Sequence, residues 1–471
     1  MFYGNINNSA LVNIQYEGFM DALRDARALM EHRPLSIETV DSTVLALARD
    51  DVVWTSISEF FPDYNDERSA QGINLVEFSA DDLGQLQSRV AEFVEHISTD
   101  QSVRRLGHTI AWGDVAVSRV YAMRKRAVGL LGNVRGKRRP QPFVEDTAVP
   151  PEQLAEYIAE FRALLDSYGL KYGMFGHVDA GVLHVRPALD LRAPEDAALI
   201  RPISDAVSAL TMKYGGLLWG EHGKGVRSEY APTFFGSLYP SLQRIKAAFD
   251  PYNQLNPGKI AVPVGVDSTL LKIDSTTLRG ELDREISDAV WEANSDAVQC
   301  NGNGACFNFD PDDSMCPSWK ATRQRIHSPK GRASLMREWL RLQVAAGTDL
   351  IARPRAKRLP VRFLNSLRRG RNKDDFSHEV YEAMSGCLAC KSCVAQCPVK
   401  VNVPEFRSRF LEHYHTRYLR PARDHMIASL EYTIPRLVSV PGGRQLYKPL
   451  SNFEWVYCRV KRGRKPGEAN A

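Results

Sequence analysis

Apolar positions in the first 262 residues switch between a period of about two and a period near 3.6, and each switch marks an element. Residues 11–15 read as a strand, and the helix after it sets Phe19, Ala22, Leu23, Ala26, Leu29 and Met30 on one face. Pro34 stops that helix, and residues 35–40 return to the strand period. The pattern recurs with a strand at 73–78, a helix carrying Leu83, Leu86, Val90, Phe93, Val94 and Ile97, and a strand near 108–112. A third helix opens at Pro150 and Pro151, buries Leu154, Ile158, Phe161 and Leu165, and closes at Gly169. Strands at 171–178 and 183–187 follow. Repeated strand–helix–strand units with few parallel crossovers predict an α+β fold, a ferredoxin-like, largely antiparallel sheet covered by helices on one face. No G-x-G-x-x-G opens a helix after a strand, so a Rossmann domain is not indicated.

Beyond residue 262 the pattern becomes helical, at 333–345, from Phe376 into Cys387, and at 403–415. The expected organisation is a substrate or cap domain over 1–262, a linker over 263–290, an α-helical ferredoxin-type iron–sulfur domain over 291–420, and a partly ordered basic segment over 421–471. Charge divides at the same place. Residues 1–262 hold 27 Lys+Arg against 33 Asp+Glu, net −6, and the remainder holds 34 against 23, net +11. Residues 353–373 contain nine Lys/Arg and no acid. Such a run suits nucleic acid or anionic lipid, but without an aromatic ladder it reads better as a solvated linker, and no nucleic-acid partner is expected. The tail RVKRGRKPGEANA is expected to be disordered. No 18-residue apolar run and no secretory-type start occur, so no transmembrane segment is expected. The compartment reads as cytoplasmic, with peripheral attachment to the inner membrane left open.

Seven of the eight cysteines fall between residues 300 and 397, and four form the run Cys387-x2-Cys390-x2-Cys393-x3-Cys397-Pro398. This spacing curls one loop so that three thiolates converge on one 4Fe–4S cluster, while the cysteine before proline serves another cluster. Structural zinc instead prefers two separated C-x2-C pairs. Cys300, Cys306 and the Cys316-Pro317 pair look like a degenerate first copy. Crossed ligation then groups Cys316 with Cys387, Cys390 and Cys393, and leaves Cys300, Cys306 and Cys397 as a three-thiolate site. That second site is open between a cluster with a non-cysteine ligand, a three-iron cluster and no cluster. Cys458 reads as a plain thiol.

Three patches carry chemistry in the first domain. Gly176-His177 to His184 places two imidazoles on adjacent strand ends across a tight turn, and Gly220-Glu221-His222-Gly223-Lys224-Gly225 adds a carboxylate and a third imidazole. Two histidines and a carboxylate make a divalent-metal site with open positions; singly, each histidine also reads as a satisfied hydrogen-bonding residue. Residues 249–259, FDPYNQLNPGK, form a turn-rich third patch.

Together with the Cys-Pro run, GHVDAGVLH, GEHGKG and FDPYNQLNPGK resemble the C-terminal domain of FAD-linked oxidases of the vanillyl-alcohol oxidase type. The nearest group is the D-lactate and D-2-hydroxyglutarate dehydrogenases fused to a 4Fe–4S module, and the resemblance covers residues 1 to about 420. It implies a metal, zinc or manganese, on His177, His184 and Glu221, with His222 taking the substrate hydroxyl proton and Arg124 clamping the carboxylate. Gly223, Gly225, Asn256 and Lys259 would meet one edge of FAD. The implied reaction is oxidation of a D-2-hydroxy acid, with electrons passing from flavin to a 4Fe–4S cluster and on to a quinone, cytochrome or carrier protein. The family's G-H-x-G-D-G-N-x-H becomes G-H-V-D-A-G-V-L-H here, so Arg186 and residues 135–139 are candidates for the lost anion contacts. Members carry an FAD-binding domain ahead of this region, so the flavin domain is expected in trans or lost, and the chain reads as a fragment or split subunit. A non-catalytic iron–sulfur electron-transfer subunit is the alternative.

Overall fold

The computed structural model describes residues 8–61, 70–132, 134, 136–223, 225–368 and 375–439. Lys224, Arg135, the end of the basic run beyond Arg368, Cys458 and the basic tail lie outside the described residues. The chain divides into two compact units, residues 1–351 with 379–408, and residues 352–378 with 409–471.

The first unit is organised on one eight-stranded sheet. Its strands are β1 (Asn8–Tyr16), β2 (Ser36–Asp41), β3 (Gly72–Ala80), β4 (Arg105–Trp112), β5 (Arg139–Pro140), β6 (Thr147–Ala148), β7 (Tyr172–His177) and β8 (Val182–Leu189). They run in the order β4-β1-β3-β2-β7-β8-β5, with β6 on β8, and every described pairing is antiparallel.

Helices cover both faces of this sheet, not one. Ala10, Val12, Ile14 and Tyr16 of β1 pack with the Phe19–Glu31, Leu83–Thr99, Leu154–Ser167 and Ile200–Lys213 helices. Leu11 of the same strand points to the other face, where the Ser42–Arg49 and Gly113–Leu131 helices contribute Val44, Leu45, Val117, Val120 and Met123. The physical reason lies in the strands. β1 is buried at eight consecutive positions, so both of its faces need cover. The Gly113–Leu131 helix escapes periodicity because Arg119, Arg124, Lys125 and Arg126 break its apolar stripe.

Asp41 fixes the junction between β2 and β7. Its carboxylate caps the Ser42–Arg49 helix through Val44 N at 2.9 Å and accepts Met174 N of β7 at 2.7 Å. In the second unit, the basic run expected as a linker contains the Leu359–Leu367 helix, and His378, Tyr414 and Tyr418 form a ring cluster.

The β7–β8 hairpin turns through Gly181 at φ 65°, where a Cβ would collide with the backbone carbonyl of Val149. Only glycine satisfies both the left-handed conformation and that approach. Gly181→Ala is expected to cost about 2–4 kcal/mol, read as a lowered denaturant midpoint at unchanged slope. A stability equal to wild type would show that the hairpin tolerates the displacement.

Candidate active site and cysteine cradle

The β7–β8 hairpin sets Phe175 opposite His184 and His177 opposite Val182, so both imidazoles emerge near one end of the sheet. Their ring centroids are 5.7 Å apart, and His222 stacks on His184 at 5.1 Å. One carboxylate oxygen gathers all three. Glu221 Oε1 lies 2.8 Å from His184 Nε2, 3.3 Å from His177 Nε2 and 3.6 Å from His222 Nε2. Burial, followed by the nearby Arg124, His177, His222 and Arg186, pushes His184 down to about 3, so it is neutral near pH 7. The hydrogen bond to Glu38 raises His177 instead.

Two residues that sequence reasoning missed hold this arrangement. Asp146 is fully buried at φ 71°, and its carboxylate accepts the amides of Glu221 at 3.1 Å and His222 at 2.9 Å. It thereby fixes the E-H-G loop, and with His184, Glu221 and His222 it forms a set whose ligand atoms all lie within 4.8 Å. Glu38 of β2 bridges His177 Nδ1 and Arg124 Nε, each at 2.7 Å. Its signal was a carboxylate between Ile37 and Val40 in a strand-period segment; Asp146 offered none, because its role depends on its backbone angle.

Glu38, Tyr121, Arg124, Lys125, His177, His184, Arg186, Glu221 and His222 surround a cleft of about 320 Å³. Arg124 lies over the Phe175 ring at 4.6 Å with its Nε engaged by Glu38, which leaves its Nη groups for an anion. Arg186 pairs with Glu145 at 2.6 Å. The described residues of the 135–139 run are committed elsewhere, Lys137 to Asp288, Arg138 to Asp196 and Arg139 to the Gly132 and Val134 carbonyls. They supply no contact in this cleft. Lys259 Nζ donates to the Gly225 carbonyl at 2.6 Å, while Asn256 turns at φ 49° and Gly223 follows His222. A Cβ at Gly223 or Gly225 would meet nothing within 4 Å among the described residues. None of these four residues lines the cleft itself.

The donor set fits a divalent ion. A neutral buried imidazole and a carboxylate oxygen at 2.8 Å are the ligands zinc or manganese takes, and the flanking imidazoles complete a partial shell.

The cysteines fall into two groups. Cys316, Cys387, Cys390 and Cys393 line one cavity, with Arg332 among its walls. Arg332 is 1% exposed, its Nη1 is 3.8 Å from Cys316 Sγ, and its other donors go to Ala383 O and Ser318 Oγ. Among the described residues no carboxylate pairs with it. A buried guanidinium without a carboxylate requires another anion, and a cluster held by four thiolates supplies one. Cys316, Ala389 and Lys391 all have left-handed backbones at φ 39°, 54° and 63°, the curl that brings the short spacings round one centre. Burial, then the fields of Cys387, Cys316 and Cys390, pushes the Cys393 thiol up to about 11.

The second group is Cys300, Cys306 and Cys397. Burial, opposed by the Lys330 amide and reinforced by Cys300, Cys397 and Cys316, raises Cys306 to about 11. The amides of Val401, Val399 and Lys400 point at Cys397. Both groups fit iron–sulfur ligation, in which like-charged thiolates are tolerated because iron compensates them. This second group lies against the Gly113–Leu131 helix. A Cβ on Gly129 would stand 2.5 Å from the Pro398 ring, and one on Gly132 would strike Asn301 and Val399. Arg126 of the helix also donates to the Gln396 carbonyl at 3.4 Å.

Residues 7–260 match the family described as FAD linked oxidases, C-terminal domain. The chain belongs to that family. Residues 296–401 match a 4Fe-4S dicluster domain. It is similar to D-2-hydroxyglutarate dehydrogenase of Pseudomonas putida, at 65% identity over 95% of the chain and 45% of the relative. The proteins of that name from Escherichia coli and Haemophilus influenzae are 55% and 48% identical, over 92% and 90% of the chain and 43% and 42% of their own lengths. The chain thus spans less than half the length of these curated relatives.

Serine at Cys316 is expected to remove the four-thiolate cluster from anaerobically reconstituted protein as completely as serine at Cys390, although 74 residues separate the two positions. Serine at Cys397 should leave that cluster's absorbance in place. Iron and visible spectra check this; intact spectra in the Cys316 variant would break the crossed grouping.

Proposed function

We propose that this chain binds the hydroxy acid and carries the electron-transfer module of an FAD-dependent D-2-hydroxyglutarate dehydrogenase. The observation that carries the reading is one cleft in which three imidazoles converge on Glu221 while two arginines, Arg124 and Arg186, stand on its wall. A 2-hydroxyl needs a base and an electrophile, and two guanidinium groups suit two carboxylates. The similarity to relatives bearing that enzyme name supports the same substrate.

In this reading His177, His184 and Glu221 hold a divalent ion, with Asp146 and His222 beside it. A divalent ion held there would acidify the substrate hydroxyl, a bound FAD would be the hydride acceptor, and a 4Fe–4S cluster held by Cys316, Cys387, Cys390 and Cys393 would accept electrons singly. The chain's own residues supply the rest. Arg124 orients the C1 carboxylate, and Glu38 fixes its Nε so that the guanidinium keeps one direction. His222 takes the hydroxyl proton on a ring nitrogen. Asp146 Oδ1 at 3.5 Å from its Nδ1 and Glu221 Oε1 at 3.6 Å from its Nε2 balance the charge it acquires. Arg186 receives the distal carboxylate, which distinguishes 2-hydroxyglutarate from lactate. A cluster held by the cysteine module would offer those electrons a route to a separate acceptor. The same helix presents Arg124 to the cleft and Gly129 to the Cys397–Pro398 turn.

Arg186→Ala is expected to raise KM for D-2-hydroxyglutarate by about tenfold or more in the flavin-loaded protein, while D-lactate oxidation changes little. Equal effects on both substrates would remove Arg186 from specificity. His222→Ala should lower kcat by roughly 10²–10⁴-fold with metal content retained. His184→Ala should instead lose the ion, read by metal analysis; unchanged zinc or manganese in that variant contradicts the ligand set.

A further inference from the structure

The Leu359–Leu367 helix is mounted with its polar side toward its own unit. Arg362 Nη2 donates to Tyr418 O at 3.3 Å, Asn365 Nδ2 donates to Arg417 O at 3.0 Å, and Ser366 Oγ accepts Leu419 N at 2.9 Å. Turned away from these contacts, Phe363, Leu364 and Leu367 are 53%, 49% and 65% exposed, and Leu359 at the start of the helix is 67% exposed. Helices of globular proteins ordinarily turn such a stripe to the core, so this one is built for something outside its unit. The Ala422–Ser439 helix of the same unit likewise exposes Met426, Ile427 and Leu430.

Charge selects among occupants. From 353 to 368 the chain carries Arg353, Arg355, Lys357, Arg358, Arg362 and Arg368 and no acid. Their carboxylate contact among the described residues is a long one, Arg353 to Glu412 at 3.9 Å. A second copy docking through this face would bring two such cationic sets together, which like-charge repulsion opposes. Single-stranded nucleic acid needs aromatic platforms, and the stripe is mainly leucine. Cations flanking an aliphatic stripe match an anionic bilayer, where the stripe enters the acyl boundary and the cations meet lipid phosphates.

We propose that the Leu359–Leu367 helix docks this protein on the surface of an anionic membrane. No helix among the described residues is long and apolar enough to cross one, so the association is peripheral and reversible, held by Phe363, Leu364 and Leu367 and by the cations that precede them.

Co-sedimentation of the purified protein with vesicles tests this. It should pellet with mixed phosphatidylcholine–phosphatidylglycerol vesicles and stay in solution with pure phosphatidylcholine, and rising salt should release it. Phe363→Glu with Leu367→Glu should lower the partition coefficient at least ~tenfold, and Arg355→Ala with Arg358→Ala about tenfold. Far-UV circular dichroism and iron content identical to wild type establish that both variants are folded. Equal pelleting with both vesicle types, or wild-type binding by the Glu variant, would overturn the proposal. So would a dimer in solution that the Glu variant dissociates, because a second copy would then be the occupant.

Discussion

The close approach of the Gly113–Leu131 helix to the Cys397–Val399 turn is the constraint on which the other features depend. Gly129 and Gly132 are the contact points, and neither has room for a side chain against Pro398, Val399 or Asn301. One turn and a half earlier, the same helix delivers Arg124 to the histidine cleft. Its other side is pinned by Val117, Val120 and Met123 in the core beneath the sheet. A rigid rod packed on one side and glycine-smooth on the other therefore fixes the distance between the histidine cleft and the cysteine module. Packed interiors do not deform continuously, so that distance cannot drift.

Electrostatics follows the same economy at both centres. In the cleft, buried carboxylates work as mounts. Asp146 holds two loop amides, and Glu38 spans a histidine and an arginine. Glu221 is left facing three imidazoles, of which the buried His184 is neutral. In the cradle the roles invert, with a buried cation, Arg332, set among sulfurs. Each centre is thus polarised for the opposite charge, a cation in the first and an anionic cluster in the second.

Much of this was readable from residue order. The strand and helix periods located β1, β2, β3, β4, β7 and β8 within a few residues, because each strand alternates or is bounded by proline and glycine. The cysteine spacing likewise anticipated the two groups that the structure assembles, since short C-x2-C loops have few ways to close. The second helical layer was not legible, because arginines that pair with Glu38 and Asp51 interrupt its stripe. Asp146 and Arg332 were equally hidden. Each owes its role to burial beside groups distant in sequence, and periodicity does not report burial of a charge. The 353–373 run, expected as a solvated linker, carries the Leu359–Leu367 helix, whose apolar positions were masked by charge density.

In the proposed reading the histidine cleft and the Cys397–Val399 turn of the cysteine module form one coupled device on a shared helix. Arg124 and Gly129 are five residues apart, about 7.5 Å along the helix axis. Manganese placed at His177, His184 and Glu221 should therefore sense the spin of a reduced cluster. The direct measurement is the electron spin relaxation of Mn²⁺ in reconstituted protein, with the iron–sulfur module oxidised and then reduced. Relaxation that accelerates on reduction, and loses its Mn²⁺ signal in the His184→Ala variant, is the predicted result. A Mn²⁺ signal indifferent to the oxidation state of the iron would contradict the account.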